Sequence, residues 1–241
     1  MTGPASHSDP AVRAALEASF LAGLPAGALE RVLAEATRLE IRAGTTFYGD
    51  AEQGQGVLVV GGLMRLYLAS AEGRQVTVRY ARPGDVVGTA ALVGGPSPAN
   101  AQALTDVSLL TLRLRTLQDL GRSDARVAWA IAEEVTRRLY DTLEVVAGTT
   151  FGTVRQRVAR HLLDLAAAAV SRQAGQGLVA PVSQQELADA VGSVREVVAR
   201  ALRQLREEGL VETVSDGIAL LDPAALDTTA WSRSTQSRAG R

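Results

Sequence analysis

The chain has 241 residues, 46% hydrophobic and 21% charged, with a formal net charge of −1; this is enough apolar side chain for two modest packed domains. No run of roughly 18 apolar residues exists, so no membrane span is expected. Cysteine is absent and histidine is limited to His7 and His161, which excludes disulfides, thiolate zinc sites and cysteine-ligated iron–sulfur clusters and leaves a metal cluster or a Ser-His-Asp triad unsupported.

Residues 1–10 hold Pro, Gly, Ser and Asp and read as a loose start; they lack a basic-then-apolar leader pattern, so a cytoplasmic location is expected. Residues 11–38 carry helical patterning, with Leu24-Pro25 opening a helix over Ala26 to about Glu40. From residue 40 to 118 short apolar runs alternate with Gly-rich turns. Val57–Val60, Leu63–Leu68, Gln75–Tyr80 and Val107–Leu114 read as strands of a sandwich or jelly roll.

Residues 122–150 return to helix. Ala128, Ala132, Val135, Leu139, Thr142 and Val146 recur at spacings of three and four, a heptad-like seam that reads as a parallel dimer contact or as packing on the helix's own domain. Thr142 is a polar exception on this seam. Phe151-Gly152-Thr153 reads as a hinge, with Thr153 able to cap a helix over Val154–Ala169, and Ala174–Gly177 as a flexible turn.

Residues 183–208 carry the most specific pattern. Ser183 to Glu186 is a capping box, so a helix starts there. Gly192 sits where a sharp turn needs positive φ, and Ser193 to Glu196 is a second capping box opening a second helix. On that helix Val194, Val198, Ala201, Leu202 and Leu205 share one face; Arg195, Glu196, Ala199, Arg200 and Arg203 share the other. One face packs and the other is free to read base edges: Arg forks suit guanine O6 and N7, and a carboxylate accepts from cytosine N4. The bland reading is an amphipathic surface helix with a solvated charged face. Leu210–Val214 and Ile218–Leu221 around Ser215-Asp216-Gly217 form a β-hairpin, so the segment reads as a winged helix. Every basic residue is Arg, and residues 153–222 are not net basic, so DNA affinity must come from a local patch. Residues beyond Leu226 read as a frayed polar tail.

The fold class is therefore α+β: a β-roll over residues 11–120, a long dimerisation helix over 121–150, a winged helix-turn-helix over 151–224 and a flexible tail over 225–241. This order, with Arg82-Pro83-Gly84-Asp85-Val86-Val87-Gly88, Arg137-Arg138-Leu139 and Val191-Gly192-Ser193-Val194-Arg195-Glu196-Val197-Val198-Ala199-Arg200, resembles the cyclic-AMP receptor protein and fumarate–nitrate regulator superfamily of bacterial transcription factors across residues 18–222. In the last segment Val194 and Val197 stand where the family pattern has Ser and Thr.

The resemblance implies a homodimeric regulator on double-stranded DNA, an activator that touches RNA polymerase, with no membrane partner. Arg195 and Arg200 would read guanines and Glu196 a cytosine in a TGTGA-type pseudo-palindrome. Ser183, Gln184 and Gln185 would hold phosphates. Val135, Leu139, Thr142 and Val146 would form the dimer seam. For the effector, the resemblance points to Gly88, Thr89, Ala90, Asn100, Ala101 and Thr142. Thr89 stands where cyclic-AMP binders have a ribose-binding Glu, and Pro98-Ala99-Asn100-Ala101 lacks their phosphate-binding Arg-Ser. A cyclic nucleotide-binding-like pocket that is atypical or vestigial is thus expected, with no required cofactor and no iron–sulfur cluster; a cyclic-AMP-dependent regulator with a divergent pocket is the alternative. A ligand-sensing roll acting through protein contacts is the reading from another class, and a cupin-like enzyme is disfavoured because residues 40–118 contain no His.

Overall fold

A computed structural model describes residues 2–4, 9–48, 55–69, 75–95, 98–170 and 178–231. The chain divides into two compact units: Met1–Leu143 with Val170–Gln176, and Glu144–Ala169 with Gly177–Arg241.

The first unit opens with β1 (Thr2–Pro4), α1 (Pro10–Ala18), a 3-10 turn (Phe20–Gly23) and α2 (Ala26–Ala34). The roll follows as β2 (Thr37–Ile41), β3 (Thr46–Tyr48), β4 (Gln55–Gly61), β5 (Met64–Ala69), β6 (Gln75–Ala81), β7 (Val86–Val87), α3 (Ala91–Gly94), β8 (Asn100–Ala103) and β9 (Val107–Arg113). Helices α4 (Leu114–Ser123) and α5 (Ala125–Phe151) close it. The strands form two antiparallel sheets, ordered β1-β2-β9-β4-β7 and β3-β8-β5-β6.

The central strands explain why the roll is stable. On β4 and β9 successive side chains alternate faces and apolar residues are buried on both, so Val57–Val60 and much of Val107–Leu112 read as apolar runs rather than as strict alternation. Leu58, Val60, Leu110 and Leu112 turn outward onto Val12, Leu21, Val32, Leu117, Val127 and Ile131 of the helices. Val59, Val107 and Leu109 turn inward, where they meet Met64, Leu66, Ala81, Ala101 and Ala103 between the sheets.

The helix expected over Ala26–Glu40 is shorter. It stops at Ala34, and Thr37–Ile41 is a strand paired with β9 from Thr37↔Thr111 to Ile41↔Val107. Hydrogen bonds across the two strands outweigh helical propensity here: the Thr37 amide donates to Thr111 Oγ1 at 3.1 Å, and Ser108 Oγ donates to Glu40 at 2.8 Å. The start is not wholly loose either. Thr2–Pro4 pairs with β2, and Asp9 caps α1 by accepting from the Ala11 amide.

The second unit holds α6 (Val154–Val170), β10 (Val179–Ala180), α7 (Gln184–Ala190), α8 (Arg195–Glu207), β11 (Val211–Val214), β12 (Gly217–Leu220) and α9 (Pro223–Trp231). The break between α5 and α6 falls at Gly152-Thr153. Thr153 caps α6 as its side chain suggested: Thr153 Oγ1 accepts from the Gln156 amide at 3.3 Å, while the Thr153 amide donates to Gln156 Oε1 at 2.8 Å. β11 and β12 form the wing around Ser215-Asp216, and β10 adds a third strand beside β12. The tail is a correction. Residues Pro223–Trp231 are helical, and Leu226 and Ala230 are buried, because an apolar side chain every fourth residue lets that turn dock. Ala174–Gly177 lies outside the described residues.

Candidate nucleic-acid interface and effector region

The interface is built from the turn upward. Ser183 opens α7 with a complete capping box: its Oγ accepts from the Glu186 amide, and Glu186 accepts from the Ser183 amide at 2.9 Å. That pairing holds the Glu186 carboxyl below its usual range. Leu187 and Ala188 are buried, which lets the next helix approach closely. Gly192 has φ +61, a left-handed conformation that reverses the chain, and the Ser193 amide then donates to the Ala188 carbonyl at 2.9 Å. From α6, Arg157 braces this turn, donating to the Val191 carbonyl at 3.0 Å and to the Gly152 carbonyl at 2.6 Å.

The second capping box expected at Ser193–Glu196 does not form. α8 starts at Arg195 with Val194 at the N-cap position and no side-chain cap, because Ser193 is still part of the turn. Val194 also leaves the packed face: it is exposed, while Val198, Ala201, Leu202 and Leu205 are buried. Arg195, Glu196, Arg200 and Arg203 are all exposed, and none forms a hydrogen bond or ion pair with a described residue. Three cations and one carboxylate thus stand on a rigid helix with no internal partner. Gln184 is half-buried and Gln185 is exposed, with Gln185 Nε2 donating to Asp189. A groove of about 410 Å³ separates this helix start from the wing, lined by Val182, Ser183, Gln184, Thr213, Ser215 and Asp216.

The effector candidates fall into three separate places. Gly88 (φ +97), Thr89 and Ala90 form the turn into α3, with Thr89 buried and Ala90 exposed. Asn100 and Ala101 lie on β8, and Ala101 is packed between the sheets. Thr142 is exposed on α5 and its hydroxyl donates to the Arg138 carbonyl at 2.9 Å. No hydrogen bond among the described residues joins these three groups.

A charge cluster that sequence reasoning did not assemble lies where α5 crosses the roll. Asp85 Oδ1 accepts from Arg138 Nη2 at 2.7 Å, and its Oδ2 accepts from the Arg82 amide at 3.0 Å and lies 3.5 Å from Arg79 Nη1. Arg138 also donates to Glu134, whose side chain is 1% exposed, and Arg137 pairs with the same carboxylate. Burial alone would raise Asp85, but Arg79 and Arg138 hold it below the usual carboxylate range. Burial, then the neighbouring Arg138, pushes Arg79 down to about 10. Burial opposes the Arg138 charge too, yet Asp85 and Glu134 raise its pKa. The signal was present in the Arg-Pro-Gly-Asp and Arg-Arg-Leu segments as opposite charges, but only the fold shows that they meet.

On the dimer seam, Leu139 is exposed, and Trp129, Tyr140 and Leu143 are exposed with it. Val135 is partly buried against the helix-covered core of its own unit, and the side chain of Val146 lies outside the described residues.

A roll of two antiparallel sheets, a long helix and a winged helix-turn-helix define the class of regulators that carry a nucleotide-binding-type roll ahead of a helix-turn-helix domain. Comparison with known proteins agrees. The model of the cyclic nucleotide-binding domain matches residues 38–124, and that of the Crp-like helix-turn-helix domain matches residues 156–229. The transcriptional regulator LdrP of Thermus thermophilus is 35% identical over 71% of this chain and 85% of its own. The cAMP-activated global transcriptional regulator Vfr of Pseudomonas aeruginosa is 25% identical over 76% of this chain and 88% of its own. The structure of FixK2 from Bradyrhizobium japonicum is 26% identical, covers 82% of this chain and 98% of its own, and superposes with a TM-score of 0.52. The chain belongs to the cyclic-AMP receptor protein/fumarate–nitrate regulator family of transcription regulators. Its relatives are regulators rather than enzymes, and no helix among the described residues is long and apolar enough to cross a membrane.

Proposed function

We propose that the protein is a homodimeric, sequence-specific transcription activator that reads a TGTGA-type pseudo-palindrome. The observation that carries this reading is the open face of α8. Arg195, Glu196 and Arg200 project without internal partners from a helix anchored by Val198, Ala201, Leu202 and Leu205. Arg195 and Arg200 donate bidentate hydrogen bonds to guanine, and Glu196 accepts from cytosine N4. Ser183 and Gln184 border the groove beside the wing and, with the exposed Gln185, serve the phosphates, which fix register without reading sequence. The exposed apolar stripe of α5, Trp129, Leu139, Tyr140 and Leu143, supplies the twofold contact that places two such helices about one DNA turn apart. The activator role rests on the family's contact with RNA polymerase.

The effector pocket is altered. Two buried cations where α5 meets the roll, Arg79 and Arg138, are already neutralised by Asp85 and Glu134, so neither is left to balance a cyclic phosphate. Cyclic AMP acting through a divergent pocket is the second reading, and it is favoured by the match to the cyclic nucleotide-binding domain.

The test is binding to a TGTGA-N6-TCACA duplex at fixed salt, against a scrambled duplex, with and without cyclic AMP. Specific binding without the nucleotide is the expected result. Specific binding only with it transfers the assignment to the second reading, and equal binding to both duplexes overturns the base-reading role.

A further inference from the structure

We propose that Val194 and Val197 form an apolar reading edge that packs against the 5-methyl group of a thymine in the half-site. The proposal rests on the assignment of Arg195, Glu196 and Arg200 as base readers and deepens it.

The observation is one of placement. Among the described residues of the second unit, the large apolar side chains left exposed are Val194 (59%), Val197 (36%) and Leu221. Two of these three bracket Arg195 and Glu196 at the very start of α8. They are not needed for packing, since Val198, Ala201, Leu202 and Leu205 fill the buried face. The Val197 amide donates to the Val194 carbonyl at 3.1 Å, which fixes the two residues one turn apart on a single flank. Arg200 follows Val197 at the next i+3 position on that flank. A guanidinium and two isopropyl groups therefore advance together.

The chemistry of a DNA groove decides what such an edge can meet. Phosphates, sugar oxygens and most base edges are polar, and a valine offers them neither donor nor acceptor. In the major groove the apolar feature is the thymine C5-methyl, for which aliphatic side chains are the matching partners. The family pattern has Ser and Thr at these positions, so this chain exchanges two hydroxyls for branched apolar groups on the leading turn of the helix. We therefore expect its operator to demand thymine beside a guanine read by Arg200 or Arg195.

The experiment starts from a pool of randomised duplexes enriched by the full-length protein, so no operator is presupposed. The enriched duplex is then remade with deoxyuridine replacing each thymine in turn, which deletes only the methyl group, and binding is measured by fluorescence anisotropy at fixed salt. For wild type, one or two positions per half-site should weaken binding about fourfold each, the value of one methyl removed from water, and roughly fifteenfold when both half-sites are changed. The Val194→Ala/Val197→Ala protein should bind thymine and uracil duplexes alike, within about twofold, and its own enriched pool should relax at the same base pair. Val197→Thr, which keeps the shape and one methyl, gives the same test with a smaller drop if the alanine protein folds poorly.

Failure to enrich any sequence overturns base reading itself and this proposal with it. Enrichment with equal binding of thymine and uracil duplexes overturns the valine assignment alone. A uracil penalty that survives in the alanine protein also overturns it, because the methyl would then act through another group.

Discussion

Replacing Asp85 by Asn tests whether the charge cluster holds the roll to α5. The substitution keeps the shape and an acceptor for the Arg82 amide, but it removes the charge that faces two guanidinium groups. Asp85, Arg79 and Arg138 have side chains 15%, 16% and 15% exposed, so solvent screens them only in part. Breaking a fully buried ion pair by removing one partner costs about 3–5 kcal/mol. Here Glu134 still neutralises Arg138, and the carboxamide still accepts a hydrogen bond, so we expect a loss of about 2–3 kcal/mol. Urea unfolding followed by far-UV circular dichroism at pH 7 measures it directly. The pH dependence gives a second check. Because the folded pKa of Asp85 lies below its unfolded value, its contribution is fully present above the unfolded pKa, about 4, and is lost as pH falls through the folded value. The gap between wild type and Asp85→Asn should therefore be flat from about pH 5 to 8 and close in acid. A difference under about 0.5 kcal/mol at pH 7, or one that widens in acid, would refute the reasoning.

Other substitutions probe the remaining parts. Arg200→Ala should lose about 1–3 kcal/mol of specific binding while binding to scrambled duplex changes little; equal losses on both duplexes in anisotropy would make Arg200 a phosphate contact instead. Leu139→Glu should abolish the proposed dimer in analytical ultracentrifugation, because a charge placed in an apolar contact has no partner; an unchanged sedimentation profile would move the interface elsewhere. Gly84 has φ +93, and a Cβ there would lie 2.7 Å from the Ala18 Cβ. Gly84→Ala should thus destabilise the roll by about 1–3 kcal/mol in thermal melts, and a neutral effect would show that the turn can relax.

The sequence disclosed most where side-chain chemistry is local. The Ser183–Glu186 capping box, the Gly192 reversal, the Thr153 cap and the short apolar runs that become β4 and β9 each depend on residues close in the chain, and each is present in the structure. What could not be read depends on distant partners. Thr37–Ile41 continues a helical pattern until β9 claims it. The short strands β7 and β10 exist only because β4 and β12 offer them ladders. The Asp85–Arg138 pair joins residues 53 apart. Ser193 fits a capping pattern yet stays inside the turn, and Val194 is extended at the N-cap (φ −99, ψ 150), so the helical spacing that buries Val198 does not reach it.

Arg157 ties two carbonyls with one guanidinium: that of Gly152, where α5 gives way to α6, and that of Val191, where α7 gives way to α8. One side chain therefore serves two chain breaks of the second unit at once, and its loss would leave both carbonyls without this donor in a single step.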